Sequence, residues 1–313
     1  MPGFTLHYLF GVDTYRLLSP GILQNTIHAH TAAYCLGLQG PDIFFYYPAA
    51  YLRKENIGSL MHEEHARELF QTMLDYREHL KEEEEKNIIT AYLAGFLGHY
   101  TLDGLFHPYV YARTEYQVGR KNDNQYYAKH FELESCFDIL YLEKRKGLQP
   151  GQFYQSRTIA LSAAEQSAIS ALISQVARKV YKQNYSPRNI SHAISCMRMG
   201  TSLLHDSTGL KKKFWHWFET HIFGYEWFSP MIQTPHEMDP AKVLNEQKED
   251  WENPWNTSLI SQDSVEDLLN KAVSAYHKTL ILLEHKISSI PGSQERLLAN
   301  IGNRSFHSGL ENT

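Results

Sequence analysis

Cysteine is scarce in this chain. The three present, Cys35, Cys136 and Cys196, lie far apart with no CxxC pair. That argues against a disulfide framework and against a thiolate zinc site, and it fits a reducing compartment with all three thiols buried. Long hydrophobic runs are missing too: none approaches the ~20 residues that span a bilayer. The N-terminus, MPGFTLHYLFGVDTYRLL, lacks the basic n-region and small-residue cleavage site of a signal peptide. A cytoplasmic location is therefore expected. Positive charge is not in excess: 30 Lys and Arg against 35 Asp and Glu leave a net charge of −5. Nucleic acid is accordingly not favoured as a partner. Alternating strand patterns are few, and no internal repeat or low-complexity tract is present.

What is present is helical periodicity. Residues 23–38 and 63–80 read as amphipathic helices, the second with Leu69, Phe70, Met73 and Leu74 toward a core. The charge run Lys81-Glu-Glu-Glu-Glu-Lys86 suits the start of a helix, where acidic groups complement the dipole. The segment after it, Ile88 to Phe106, is apolar on most faces and should run through the centre of the domain, stopped by Pro108 just beyond His107. Further helices are expected at 126–145, 162–182, 189–205 and 263–287. The predicted fold class is all-α, a multi-helix bundle whose central apolar helix carries metal-type side chains. One principal domain is expected over 1–210. Residues 211–313 would form an aromatic, irregular segment plus a C-terminal helix, and the polar tail from Pro291 reads as mobile.

Histidine is abundant, with 17 copies. His99, Asp103 and His107 follow one another at steps of four, and His130 and Glu134 repeat the step. Residues four apart lie one above the other on a helix, so each set presents imidazole and carboxylate along one face. Three polar groups on an otherwise apolar helix are costly unless paired or metal-bound. The plain alternative is a buried His–Asp hydrogen-bond network that only fixes helix packing. His7, Asp42 and His62 taken singly are less telling. Gly-Pro-Asp at 40–42 can be a turn, and His65 stands three residues after His62 as a rival ligand. A zinc hydrolase needs such imidazole and carboxylate ligands with a place for activated water.

In order and spacing these residues resemble the zinc-dependent phospholipase C family, related in fold to single-strand-specific zinc nucleases. The resemblance rests on Leu6-His7-Tyr8, Gly40-Pro41-Asp42, Gly58-Ser-Leu-Met-His62, the HYTLDGLFHP block at 99–108 and HFELE at 130–134. It implies two or three zinc ions, with Asp103 bridging two of them. Asp42, His62 and His99 would share the first with Asp103, His107, His130 and Glu134 would hold the second, and His7 the third. Asp42 would double as general base. Secreted members ligate a metal through their mature N-terminal residue. Here loss of Met1 would leave Pro2 as a free terminus near His7 and a further ligand. No lipid-binding β-sandwich is evident after residue 150.

The expected activity is hydrolysis of a phosphodiester, including phospholipid headgroup bonds, by zinc-activated water. A transient membrane-surface contact is compatible with it, and the oligomeric state is open. The alternatives are a zinc nuclease or phosphomonoesterase, or a non-catalytic metal-stabilised scaffold. The aromatic cluster Phe214, Trp215, Trp217, Phe218, Phe223, Tyr225, Trp227 and Phe228 reads as core, with a lipid-facing surface as its alternative. The FFYY run at 44–47 reads as core as well, with the lining of a substrate pocket as its alternative. His205-Asp206 reads as a helix terminus, and His79, His192, His277, His285 and His307 have no partner at useful spacing.

Overall fold

A computed structural model describes residues 3–52, 55–119, 124–226, 228–233 and 239–312. Pro2, Trp227 and Pro235 lie outside the described residues. The fold is all-α: 69% of the described residues are helical, and the described strands are one antiparallel hairpin, Trp251–Asn253 with Asn256–Ser261. No described helix is long and apolar enough to cross a membrane.

The central helix is Glu83–Arg113, and residues 88–103 are buried without interruption. It opens on Glu83, Glu84 and Glu85, which meet the positive end of the helix dipole. Around it pack Phe4–Tyr15, Thr31–Gly37, Ala163–Lys179 and Val265–Ile287, so both ends of the chain return to one axis. Leu69, Phe70, Met73 and Leu74 face the core as the periodicity predicts.

Several boundaries depart from the sequence reading. The helix expected over 23–38 is two, Ile22–Ala29 and Thr31–Gly37, broken at His30, whose ψ of 46° is not helical. The helix expected over 63–80 begins only at Ala66, because His65 adopts a left-handed φ of 61°. His62 belongs instead to the preceding helix, Ile57–Glu63. Pro108 does not end the central helix, which continues to Arg113. The proline removes one helix hydrogen bond and crowds the carbonyl four residues back. That residue is Gly104, and its freed carbonyl lies against Gly309. Burial of Tyr109 and Val110, with Tyr109 donating to the Val243 carbonyl at 2.9 Å, holds the extra turn in place.

The tail is not mobile either. Ser293–Ile301 is helical, Phe306 is fully buried, and Tyr100 donates to the Ile301 carbonyl at 2.7 Å. The aromatic segment is not core. Helix Leu210–Ile222 has Glu219 as its one buried residue, and Phe214, Trp217, Phe223 and Tyr225 are exposed. Of the cysteines, Cys35 and Cys136 are buried as expected and Cys196 is half-buried.

Candidate metal centre

Five elements bring the candidate residues together. His99, Asp103 and His107 stand on successive turns of the central helix, and His130 and Glu134 on Asn124–Lys146. His62 sits at the end of Ile57–Glu63, a helix capped by Asn56, which accepts from the Gly58 N–H at 2.8 Å. Asp42 lies in the tight 3₁₀ turn Gly40–Phe44. Gly40 has a φ of +49°, and a Cβ there would fall 2.3 Å from the His99 ring. Only glycine meets both demands, so this turn can press Asp42 toward His99.

His7 comes from the first helix, Phe4–Tyr15. That helix has no side-chain cap of its own. Asp138 supplies one from a distance, accepting from the Thr5 N–H at 3.0 Å and the Leu6 N–H at 2.7 Å. Gln233 donates to the same carboxylate. A carboxylate at orphan N-terminal N–H groups is the favourable arrangement for a helix start. Asp138 continues the step His130-x3-Glu134 by four more residues, a signal that was available in the sequence and not used.

The heart of the site is Asp103, fully buried. One oxygen, Oδ1, lies 3.1 Å from His7 Nε2. The other, Oδ2, lies 3.0 Å from His99 Nε2 and 3.3 Å from His62 Nε2. Asp42 Oδ1 is 3.3 Å from His62 Nε2, and His130 Nε2 is 2.9 Å from Glu134 Oε1. Three sets have ligand atoms all within 4.8 Å of one another: His7, His99 and Asp103; Asp42, His62 and His99; and His107, His130 and Glu134. All eight residues singled out from the sequence fall into these sets.

Backbone carbonyls orient three of the rings. His62 Nδ1 lies 2.7 Å from the Gly58 carbonyl, His99 Nδ1 3.2 Å from that of Leu38, and His107 Nδ1 2.8 Å from that of Phe306. A carbonyl only accepts, so Nδ1 carries the proton and the Nε2 lone pair turns inward. Tyr126 OH stands 3.2 Å from His130 Nδ1. Inside, both Asp103 oxygens, Asp42 Oδ1, His107 Nε2 and both His7 nitrogens are buried with no partner in hydrogen-bond geometry, although the Asp103 and Asp42 oxygens lie 3.0–3.3 Å from Nε2 of His7, His62 and His99. Buried polar atoms that converge without well-formed hydrogen bonds are an expensive arrangement for a packing network. With a donor set of imidazole and carboxylate, they fit zinc.

The electrostatics agree. Burial holds His7, His107 and His130 below the ordinary histidine range, the last two well below, so these rings stay neutral, each with one nitrogen free of a proton. Burial would raise Asp103, yet the surrounding histidines hold it well below the usual carboxylate range. Burial would lower His62, but Asp103 and Asp42 lift it to about 9. Burial pushes Glu134 well up. These are strains that a bound cation relieves, because it replaces protons at the same atoms.

Two further groups lie here, of which His307 was not expected. His307 is stacked 5.4 Å from the His62 ring and lies 5.5 Å from His107, with its Nδ1 2.8 Å from Tyr111 OH. Phe45, in the FFYY run, is half-buried with its ring 5.6 Å from His62, whereas Phe44 and Tyr47 are core as predicted. Other histidines stay away. His65 is exposed beside Glu64 and Glu68 and does not replace His62. His205 ends helix Pro187–Leu204, and Asp206 accepts from the N–H groups of Thr208, Gly209 and Lys212.

Against known families, the profile of zinc-dependent phospholipase C matches residues 6–237. The chain belongs to this family. The matched span holds all eight residues of the three sets and ends before the C-terminal segment that carries His307. No curated protein and no solved structure matches the chain.

Asp138 gives a pH prediction. Burial raises it to about 6, despite the lowering effect of the Thr5 and Leu6 N–H groups and of Gln233. The folded state thus holds this proton more tightly than the unfolded state does. Its contribution to stability is complete below the unfolded value of 3.8 and is lost as pH rises through about 6. Replacing Asp138 with Asn, which does not titrate, should remove a pH-dependent difference on the order of 2–3 kcal/mol between pH 4 and 7. Denaturant titrations of both proteins check this, and parallel pH profiles would contradict it.

Proposed function

We propose that this zinc-dependent phospholipase C family member hydrolyses phosphodiester bonds at phospholipid headgroups. The observation that carries the proposal is the convergence of three histidines, His7, His62 and His99, on the two carboxylates Asp103 and Asp42, with a third histidine–carboxylate set beside them. Two or three zinc ions would be held there: by Asp42, His62 and His99 with one Asp103 oxygen; by His107, His130 and Glu134; and by His7 with the other Asp103 oxygen. Pro2 as a free terminus would be a further ligand to the His7 ion. Zinc in such a site supplies Lewis acidity toward a phosphoryl oxygen and lowers the pKa of water to about 7.

The chain's own residues divide the remaining work. Asp42 is on the solvent side of the centre, where Asp42, Glu134 and His130 keep 4–5% exposure while His7, His62, His99, Asp103 and His107 keep none. One Asp42 oxygen lies 3.3 Å from His62 Nε2, and the carboxylate would receive the proton of the attacking water, as a general base. The fully buried residues form a floor that excludes bulk water and strengthens the field at the reacting phosphate.

A phospholipid is met at a surface, and helix Leu210–Ile222 offers one. Leu210, Phe214 and Trp217 lie at steps of four and three, so they share one face, and they are 66%, 57% and 55% exposed. The opposite face carries buried Glu219, which anchors the helix by accepting from the Phe228 and Ser229 N–H groups at 2.7 and 3.1 Å. An apolar stripe with exposed Lys213 beside it is the pattern of a helix lying at a lipid interface.

Two experiments test the proposal. Zinc-loaded protein should release phosphorylated headgroup from phosphatidylcholine, and Asp42→Asn should lower kcat by about 10²–10⁴, with zinc content measured alongside. Turnover only of single-stranded nucleic acid or of phosphomonoesters would overturn the substrate assignment, and no turnover of any of these would favour a metal-stabilised scaffold. Separately, Phe214→Ser with Trp217→Ser should weaken co-sedimentation with phospholipid vesicles at least tenfold, since each side chain is worth about 1.5–3 kcal/mol when withdrawn from water. Unchanged vesicle binding would remove the helix from the account.

A further inference from the structure

Beyond the matched residues 6–237, the chain returns to the metal centre. Helix Ser293–Ile301 ends at Gly302, and the ten residues that follow form a small closed loop, pinned by the Arg304–Glu311 bridge and by Asn303 N donating to Glu311 at 2.8 Å. The middle of this loop reaches three of the site's imidazoles. Phe306 N donates to the His62 carbonyl at 2.8 Å, and the Phe306 carbonyl accepts from His107 Nδ1 at 2.8 Å. The Phe306 ring lies 5.2 Å from His62 and 6.0 Å from His99. His307 covers His62 and His107 from outside, itself held by Tyr111.

We infer that the segment Ser305–Ser308 is a clasp that controls how firmly the centre retains its metal, with His307 as its positioning residue. Packing alone accounts for Phe306. It does not account for a polar ring stacked on His62 and tied to a tyrosine hydroxyl that itself lies against His107 and His130. Nor does packing require that His107's only described Nδ1 hydrogen-bond partner come from this loop. Outer partners of this kind orient metal ligands, and their loss costs about 10–100-fold in metal affinity. The clasp is also separately anchored, by Asn253 donating to the Ser308 carbonyl at 2.9 Å and Asn312 to that of Glu63 at 2.8 Å, so it can loosen without dismantling the bundle.

The inference rests on zinc binding at the centre, and its test reads metal directly rather than turnover. Full-length protein is loaded with zinc and the rate of release to a chromogenic chelator is followed for wild type, His307→Ala, His307→Gln and Gly309→Ala. Gly309 has a φ of +68°, and a Cβ there would meet the Gly104 carbonyl at 2.2 Å, so this variant dislodges the loop without touching His307. Release at least tenfold faster in His307→Ala and Gly309→Ala is expected. His307→Gln, which can still pair with Tyr111, should lie nearer wild type, and the metal-free melting temperatures should stay within a few degrees. Release at the wild-type rate in both disrupting variants overturns the clasp while leaving zinc binding intact. Equal destabilisation of metal-free and loaded forms, with no faster release, assigns the loop to packing and overturns it too. A wild type that takes up no zinc overturns the zinc reading and the clasp together.

Discussion

Everything in this structure is arranged around one carboxylate. Asp103 sits on the buried stretch of the central helix with no solvent contact, and its two oxygens face histidines from three separate elements. An isolated charge in such a place is prohibitively expensive. It is sustained because positive character surrounds it, and the same surroundings need it in return. Without it His7 would be a buried polar ring facing no carboxylate, and His62 and His99 would be left with Asp42 alone. Asp103 bridges them by dividing its oxygens, Oδ1 toward His7 and Oδ2 toward the other two.

That demand explains much of the fold. Each ring must be aimed, and the aiming groups come from scattered places: the Gly58 carbonyl for His62, that of Leu38 for His99 and that of Phe306 for His107. Asp138 pins the start of the first helix, which brings His7 in from the N-terminus. The centre therefore ties the first ten residues, the middle of the chain and the last ten into one unit. Gly40 allows the turn that carries Asp42 to approach His99, and the central helix runs on past Pro108, so that its last turn presents Tyr111.

The parts of the site that were legible in the sequence are those where geometry is local. Histidine and acid at steps of four on a helix announce a shared face, which is why His99, Asp103, His107, His130 and Glu134 stood out from spacing alone. His7, Asp42 and His62 are single residues on separate elements, and only resemblance to a family joined them. His307 had no such signal. Its partner Tyr111 is 196 residues away, and the tail around it is polar enough to pass for a loose end. The aromatic helix failed for a related reason. Periodicity shows that one face of Leu210–Ile222 is apolar, but whether another element covers that face is decided by tertiary packing, and here none of the described elements buries Leu210, Phe214 or Trp217. Pro108 misled because tertiary packing can outweigh the cost of a proline within a helix, and here the burial of Tyr109 and Val110 holds the turn beyond it.

The most direct test of the central claim is elemental zinc analysis of the untagged protein beside an Asp103→Asn variant of equal fold. Asn preserves the shape of the side chain and removes the charge that draws the surrounding imidazoles together. Two or three zinc ions per wild-type chain are expected, with the variant losing those shared through Asp103 and keeping at most the one at His107, His130 and Glu134. A folded wild type that carries no zinc after purification with the metal, or a variant with undiminished content, would contradict the account.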